Sequence, residues 1–214
     1  MNVSVLGSGI VGRVLGGGFL KYSHQVMIGT RDSDKKDLTD WASQTGAKTG
    51  SFEEAARFGE LIVLAGLGRA AESIIDLARP ANFAGKTVID AMNPLADGAP
   101  VNGVLQYTTG PNESLGERIQ AKLPEARVVK AFNSVGNVLM INPKFSEGTP
   151  TMFYCGNDAQ AKAQVAGIIR QFGWEPYDCG SIVSARAIEP LCMLWCLPGF
   201  LNNDWQHAFK MLTQ

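Results

Sequence analysis

The residues most suggestive of chemistry are three glycines near the start of the chain, Gly7, Gly9 and Gly12, spaced as G-x-G-x-x-G. Val and Leu dominate residues 2–6 before them, and a helix is predicted to begin near Ile10. In this context the first glycine permits a tight turn, the second lets the backbone approach a pyrophosphate, and the third lets helix and strand pack closely. The helix N-terminus then offers unpaired N–H groups to phosphates. This stretch therefore predicts a dinucleotide site.

A second group of polar residues follows the next apolar run, about 20 positions further along the chain. NAD sites commonly carry an acidic residue there, which accepts a hydrogen bond from the ribose 2′-hydroxyl. This chain has Thr30 and Arg31 instead, followed by Lys35. A hydroxyl and a guanidinium suit the 2′-phosphate of NADP(H), which a carboxylate would repel. The alternative is that Asp32 binds the ribose while Arg31 is solvated.

Three later apolar runs end in small or polar residues. Because ligands of a parallel sheet bind beyond the carboxyl ends of its strands, we expect these ends to line one crevice. The cofactor-binding candidates at these ends are Ala65, Gly66, Leu67, Asn93, Pro94, Ala131 and Asn133. Either asparagine can hydrogen-bond the nicotinamide ribose or amide, and Asn133 can instead cap the next segment. Lys130 is predicted to pair with a carboxylate, with polarisation of a substrate as the alternative.

No acid–base pair stands out among these candidates, and no catalytic residue is assigned. Neither His24 nor His207 stands at the end of a predicted strand, and the Tyr-x-x-x-Lys pairing of short-chain dehydrogenases is absent from the sequence. Carbonyl reduction usually needs a proton donor. Hydride exchange between a nicotinamide and a flavin-like ring needs mainly face-to-face positioning. No metal site is predicted, because no histidine has metal-ligand spacing to a cysteine.

Alternating strand and helix patterns must position these residues. Strands are predicted near 2–6, 25–30, 47–49, 60–67, 86–94, 127–133, 151–155 and 174–178, and helices near 10–20, 33–44, 70–78, 114–123 and 158–172, with another capped by Ser51. The tail, 182–214, is predicted to be helical and broken at Pro198. This order indicates an α/β fold of the Rossmann type, a doubly wound and mainly parallel sheet with a small C-terminal helical extension.

The composition bounds the class of protein. The chain has 214 residues, of which 45% are hydrophobic and 18% charged, and its formal net charge is −1, which argues against a nucleic-acid partner. No signal peptide is visible. The apolar stretch 191–201 is too short to span a bilayer, so we expect a cytoplasmic protein without a membrane partner. The four cysteines are expected to be reduced, with a redox pair of Cys192 and Cys196 as the alternative.

The stretches SVLGSGIVGRVLGGGF, GTRD, VIDAMNP and VVKAFNSVG resemble the family of coenzyme F420-dependent NADP oxidoreductases. The resemblance implies a compact Rossmann fold that moves hydride between NADPH and a deazaflavin. The module is also similar to the cytosolic domain of membrane-bound metalloreductases, where NADPH reduces a flavin. Transferred residue by residue, it implies that the glycine turn holds the pyrophosphate and that Thr30, Arg31 and Lys35 hold the 2′-phosphate. The residues of that turn are Gly7, Ser8, Gly9, Ile10, Val11 and Gly12.

Two functional hypotheses remain open. The first is an NADPH-dependent oxidoreductase with coenzyme F420 or a flavin as second substrate, and the second is a non-catalytic NADPH-sensing module that contacts a protein partner. The expected organisation is an NADP-binding domain over 1–180 and an extension over 181–214 that packs on it or on the partner of a homodimer. Aromatic and sulfur residues of the tail either pack in this way or line a pocket for a flat ring. They are Met193, Trp195, Phe200, Trp205 and Phe209.

Overall fold

The apolar runs form an eight-stranded sheet in the computed structural model, which describes residues 1–213. Strands such as Leu61–Leu64 are buried at every position, as expected for strands covered by helices on both faces. The strands are β1 (Asn2–Leu6), β2 (Gln25–Thr30), β3 (Lys48–Ser51), β4 (Leu61–Leu64), β5 (Thr87–Asp90), β6 (Arg127–Lys130), β7 (Thr151–Gly156) and β8 (Glu175–Asp178).

The strand order is β3-β2-β1-β4-β5-β6-β7-β8, and neighbouring strands run parallel except for the antiparallel pair of β6 and β7. The chain leaves β1 toward one edge of the sheet and returns at β4 to continue toward the other. This reversal between β1 and β4 opens a crevice at their carboxyl ends, where open α/β sheets bind ligands. The prediction of a doubly wound, mainly parallel α/β fold is confirmed.

Helices cover both faces of the sheet. They are α1 (Ile10–Lys21), α2 (Lys36–Thr45), α3 (Phe52–Phe58), α4 (Ala71–Ala78), α5 (Leu115–Lys122), α6 (Ala159–Gln171), α7 (Ala185–Ile188) and α8 (Pro190–Asn202). Alternate strand residues belong to two buried clusters, one with α1 and α6 and the other with α3, α4, α5 and α7. The sheet thus separates two hydrophobic layers.

In the N-terminal half the order of elements agrees with the sequence pattern, but the strands predicted over 60–67 and 86–94 already end at Leu64 and Asp90. The start of α2 differs as well. That helix begins at Lys36 rather than near residue 33, because Asp32 accepts a hydrogen bond from the N–H of Asp34 at 3.1 Å and holds a turn there. Ser51 caps α3 as predicted, and its hydroxyl accepts from the N–H of Glu54 at 3.2 Å. The carboxylate of Glu54 accepts in turn from the N–H of Ser51 at 2.8 Å, which completes a capping box.

The prediction that the tail breaks at Pro198 is wrong. Helix α8 runs through Pro198 and ends at Asn202, and residues 203–213 are not helical. Pro198 has no N–H, so the carbonyl of Leu194, four residues earlier, receives no hydrogen bond from within the helix. Leu194 is 53% exposed, so water can donate to this carbonyl instead. The break comes at Asn203, whose φ of 55° ends the helix, after which the ring of Trp205 packs over Gly199.

The apolar stretch 191–201 belongs to a longer helical run, Ile182–Asn202. This run has 21 residues and a mean hydropathy of 1.2, which by length and composition is enough to cross a membrane. One third of its most apolar window is buried inside the protein, and Trp195 is among the buried residues. Length and composition alone do not distinguish a membrane span from a helix that packs on a globular core. Gln214, the last residue of the predicted extension, lies outside the described residues.

Candidate functional site

The glycine turn connects the end of β1 to the start of α1. Gly7 has a φ of +138°, and a Cβ there would meet the carbonyl oxygen of Ala65 at 2.6 Å. A Cβ on Gly12 would collide with the carbonyl oxygen of Gly7. By contrast, a Cβ on Gly9, the N-cap of α1, would meet no atom within 4 Å. Two of the glycines are therefore required by packing, and the third leaves open space above the helix N-terminus.

This open space belongs to a cleft of about 440 Å³ at the carboxyl ends of β1, β2, β4 and β5. Most of the residues that the sequence predicted for a cofactor line it. They are Gly7, Ser8, Gly9, Ile10, Val11, Thr30, Arg31, Ala65, Gly66, Leu67 and Asn93. The structure therefore brings three of the predicted groups together: the glycine turn, the end of β2, and the ends of β4 and β5.

Two predicted residues sit behind the lining because they belong to the packing of the fold. Gly12 faces Gly7 inside the turn, and Ala131 is fully buried after β6. Pro94 is also outside the lining, and its carbonyl accepts hydrogen bonds from Thr108, from N–H at 2.8 Å and from the hydroxyl at 3.2 Å. None of these three residues lines the cleft.

The other two predicted residues that do not line the cleft are Lys35 and Asn133. The ammonium group of Lys35 lies 3.5 Å from a carboxylate oxygen of Asp37, on the exposed turn before α2. Desolvation would raise the pKa of Asp37, but the neighbouring cations Lys35 and Arg13 together outweigh it and lower the pKa. Asn133 is 3% exposed and hydrogen-bonds the cleft-lining Asn93.

The rim at the end of β2 combines hydroxyl groups with one cation. The hydroxyls of Ser8 and Thr30 are 3.1 Å apart, and Thr30 also accepts from the N–H of Asp32 at 3.4 Å. Arg31 is exposed and lines the cleft, and its guanidinium makes no salt bridge within residues 1–213. Asp32 does not line the cleft, and its carboxylate serves the turn that precedes α2. This geometry favours an anionic group of a ligand at Arg31.

Sequence reasoning missed one wall of the cleft. The missed lining residues are Phe52, Ala70, Ser73, Ile74, Leu77 and Leu95. Several lie on or just before α4, a helix whose apolar periodicity on its own indicates core packing. Leu77 is 48% exposed although it is apolar, and Ile74 on the same helix is buried. A helix with apolar residues beyond its core-facing stripe was the available signal.

Lys130 lies directly behind the cleft in a buried ionic cluster. Its ammonium group donates to a carboxylate oxygen of Asp90 at 2.8 Å and to the carbonyl of Met92 at 2.6 Å. It also forms an ion pair with a carboxylate oxygen of Glu189 at 2.8 Å. Asp90 also accepts from the N–H of Met92 at 3.0 Å. The cluster therefore binds both the backbone N–H and the backbone carbonyl of Met92, which lines the cleft. The prediction that Lys130 pairs with a carboxylate is confirmed.

Burial and charge act in opposite directions on this cluster. Burial raises the pKa of Asp90, although the neighbouring ammonium of Lys130 opposes this shift. Burial alone would lower the pKa of Lys130, but the carboxylates of Asp90 and Glu189 more than offset it and raise the pKa. Lys130 is therefore held as the charged ammonium, which suits a structural anchor better than a proton donor.

Within residues 1–213, Arg31 is the one titratable side chain that lines the cleft. No group of three or more His, Cys, Asp or Glu side chains in that range is arranged to hold a metal ion. All four cysteines are free thiols. The described cleft therefore offers ligands backbone N–H groups, hydroxyls, one carboxamide, one guanidinium and apolar surface.

The N-terminal part of this chain matches a known protein family. A family model described as "NADP oxidoreductase coenzyme F420-dependent" matches residues 2–94, which include the glycine turn and Asn93. A crystal structure of a candidate F420-dependent NADP reductase from Arthrobacter sp. FB24 superposes with a TM-score of 0.91. That protein is 32% identical in sequence, and the match covers 99% of both chains.

Two curated proteins extend the comparison. An F420-dependent NADP reductase from Methanocaldococcus jannaschii is 27% identical over 188 residues, covering 82% of each chain. Metalloreductase STEAP3 from Rattus norvegicus is 30% identical over 204 residues, which are 93% of this chain but 38% of the rat protein. The chain thus spans well under half of that metalloreductase.

Proposed function

The chain belongs to the family of coenzyme F420-dependent NADP oxidoreductases, and from this we propose that it transfers hydride between NADP(H) and a planar ring acceptor, coenzyme F420 or a flavin. The observation that carries the proposal is the rim of the cleft at the end of β2. There a guanidinium and two hydroxyls stand where an NAD site would have a carboxylate. The M. jannaschii relative is an F420-dependent NADP reductase, which supports the choice of acceptor class.

In this proposal the dinucleotide lies along the carboxyl ends of the strands. The pyrophosphate rests on the glycine turn and the N-terminus of α1, where Gly9 leaves room for it. Thr30 and Arg31 bind the 2′-phosphate, and Lys35 contributes charge from the neighbouring turn. The nicotinamide half extends toward Asn93 at the end of β5. Residues 65–67 line the cleft between the two halves.

The chemistry asks for orientation rather than for a nucleophile. When bound, the nicotinamide and the acceptor ring supply the hydride chemistry, and the protein stacks and orients them. We propose residues 1–180 as the NADP-binding domain and residues 181–214 as an extension, which packs on it or on the partner of a homodimer. The name of the rat STEAP3 relative describes a metalloreductase, but reduction of a metal is not part of this proposal, since the chain spans 38% of the rat protein.

The test is an acceptor screen under anaerobic conditions. Purified protein is mixed with NADPH and, in separate reactions, coenzyme F420, FMN or FAD, while the nicotinamide absorbance is followed. We expect turnover with at least one acceptor and a preference for NADPH over NADH. Tight NADPH binding without turnover with any of the three would favour a nucleotide-binding module, and no binding would contradict the proposal.

Replacing Gly9 with alanine separates nucleotide binding from folding. Gly9 has a φ of −69°, which alanine adopts without strain, and its added methyl meets no protein atom within 4 Å. The methyl would instead occupy the space proposed for the pyrophosphate, so we expect affinity for both NADPH and NADH to fall about tenfold or more, equivalent to one lost charged hydrogen bond. Fluorescence titration of each nucleotide measures the change.

Gly17→Ala is the matched control, because Gly17 lies within α1 and also has no atom within 4 Å of the added methyl. It should keep nucleotide affinity and stabilise the helix by about 0.5–1 kcal/mol. Unchanged affinity in Gly9→Ala would place the pyrophosphate elsewhere. If the melting temperature of Gly9→Ala falls together with its affinity, the substitution has caused a folding defect instead.

A further inference from the structure

We propose that Asn133 is a positioning residue that orients the carboxamide of Asn93 toward the nicotinamide, an inference that rests on the proposed function. The two residues, 40 positions apart in sequence, are joined by reciprocal hydrogen bonds. Nδ2 of Asn133 donates to Oδ1 of Asn93 at 3.0 Å, and Nδ2 of Asn93 donates to the backbone carbonyl of Asn133 at 2.8 Å. Asn93 lines the cleft, whereas Asn133 lies behind it.

Backbone carbonyls decide which way both carboxamides point. The carbonyl of Asn133 accepts from Asn93, so the nitrogen of Asn93 must face it and the oxygen of Asn93 must face the Asn133 side chain. Asn133 is fixed in the same way, because its Nδ2 also donates to the carbonyl of Ile188 at 3.1 Å. Rotating either carboxamide by half a turn would set two acceptors against each other. Asn93 is therefore presented to the cleft in one orientation.

Two features around Asn133 work against stability and accompany this arrangement. Its Oδ1 is buried and has no hydrogen-bond partner within residues 1–213, an arrangement that is unfavourable in a protein interior. The preceding residue, Phe132, has a φ of 63° although it is a buried aromatic residue. Such strain concentrates at functional sites, where the surrounding structure enforces it. Both features follow if the chain must place Asn133 behind Asn93.

The C-terminal segment contributes to this placement. Ile188, whose carbonyl binds Asn133, is the last residue of α7, and the next residue, Glu189, pairs with Lys130. Lys130 in turn holds the backbone of Met92, the neighbour of Asn93. The orientation of Asn93 thus depends on contacts made by residues almost one hundred positions later in the chain.

A double-mutant cycle tests the inference with Asn133→Ala, Asn93→Ala and the double variant. Because misplacing a group at the reacting ring lowers turnover, we expect kcat with NADPH and the best acceptor to fall about tenfold in each single variant. If Asn133 acts through Asn93, the double variant should be no slower than Asn93→Ala. Affinity for adenosine 2′,5′-bisphosphate, which lacks the nicotinamide half, should stay within about twofold in every variant.

Asn82→Ala is the control for loss of a carboxamide hydrogen bond outside the cleft lining, since Asn82 donates to the carbonyl of Ala78 at 2.8 Å and neither residue lines the cleft. It should keep wild-type kcat. The inference is overturned if the two mutations lower kcat independently, so that the double variant is slower than Asn93→Ala. It is also overturned if Asn133→Ala leaves kcat unchanged, or if affinity for the bisphosphate falls in parallel with kcat. If the wild type shows no turnover, the proposed function has failed separately. In that case the same variants are compared by the ratio of NADPH affinity to bisphosphate affinity. This ratio should fall about threefold in each single variant and no further in the double variant.

Discussion

Lys130→Met is expected to destabilise the protein by about 3–5 kcal/mol, because it leaves two buried carboxylates without their cation. Lys130 and Asp90 are both 0% exposed and Glu189 is 1% exposed, so water cannot replace the lost ammonium. Methionine fills a similar volume, which confines the change to charge and hydrogen bonding. Urea denaturation at neutral pH measures the free energy of unfolding.

The stability lost in Lys130→Met should also depend on pH. Burial already raises the pKa of Asp90, and removal of Lys130 removes the neighbour that opposes this shift. A carboxyl whose pKa is higher in the folded state binds a proton more tightly there, so the folded state loses stability as pH rises through that pKa. The loss in Lys130→Met should therefore be smaller at acidic pH than at neutral pH.

Lys162→Met is the matched control for this prediction. Lys162 contacts Asp178 at 3.0 and 3.2 Å, but the Asp178 side chain is 43% exposed. Its loss should change stability by no more than about 1 kcal/mol. Equal effects of the two substitutions would contradict the view that burial makes Lys130 an anchor. If Lys130→Met does not fold, adding Asp90→Asn, which removes one orphaned charge, should restore part of the folded population.

The fold was largely predictable because local patterns carried it. Unbroken apolar runs such as Leu61–Leu64 are typical of strands covered on both faces, and their alternation with helices favours a mainly parallel sheet. The antiparallel pairing of β7 with β6 leaves no comparable trace, because it depends on how the chain crosses the sheet after β6. The continuation of α8 through Pro198 was missed for a related reason: packing and hydration of the exposed Leu194 decide it.

The site residues that could be predicted are those whose role follows from their own short segment of sequence. Gly7, Gly9 and Thr30 are read from a turn and a strand end, and all three line the cleft. The sequence could not show that Asn133 stands behind Asn93, because that placement follows from long-range contacts with Ile188. For the same reason a carboxylate partner was foreseen for Lys130, but its identity as Asp90 and Glu189 was not.

Arg31→Ala is expected to weaken NADPH binding by about 10–150-fold, the loss of a charge-assisted hydrogen-bonded pair worth roughly 1.5–3 kcal/mol. Arg31 lines the cleft and has no carboxylate partner to compete for its guanidinium within residues 1–213. NADH lacks the 2′-phosphate, so its affinity should change by less than about twofold. Titration of the wild type and the variant with both nucleotides gives the ratio of the two losses.

Lys35→Ala distinguishes a specific contact from general positive charge. Lys35 stands four residues away, but it lies outside the cleft lining and Asp37 partly neutralises it. Its loss should therefore weaken NADPH by about threefold or less, an effect that added salt screens. Equal losses for NADPH and NADH in Arg31→Ala would remove the 2′-phosphate assignment. Equal losses of NADPH affinity in the two variants would mean that the rim attracts anions without a dedicated guanidinium contact.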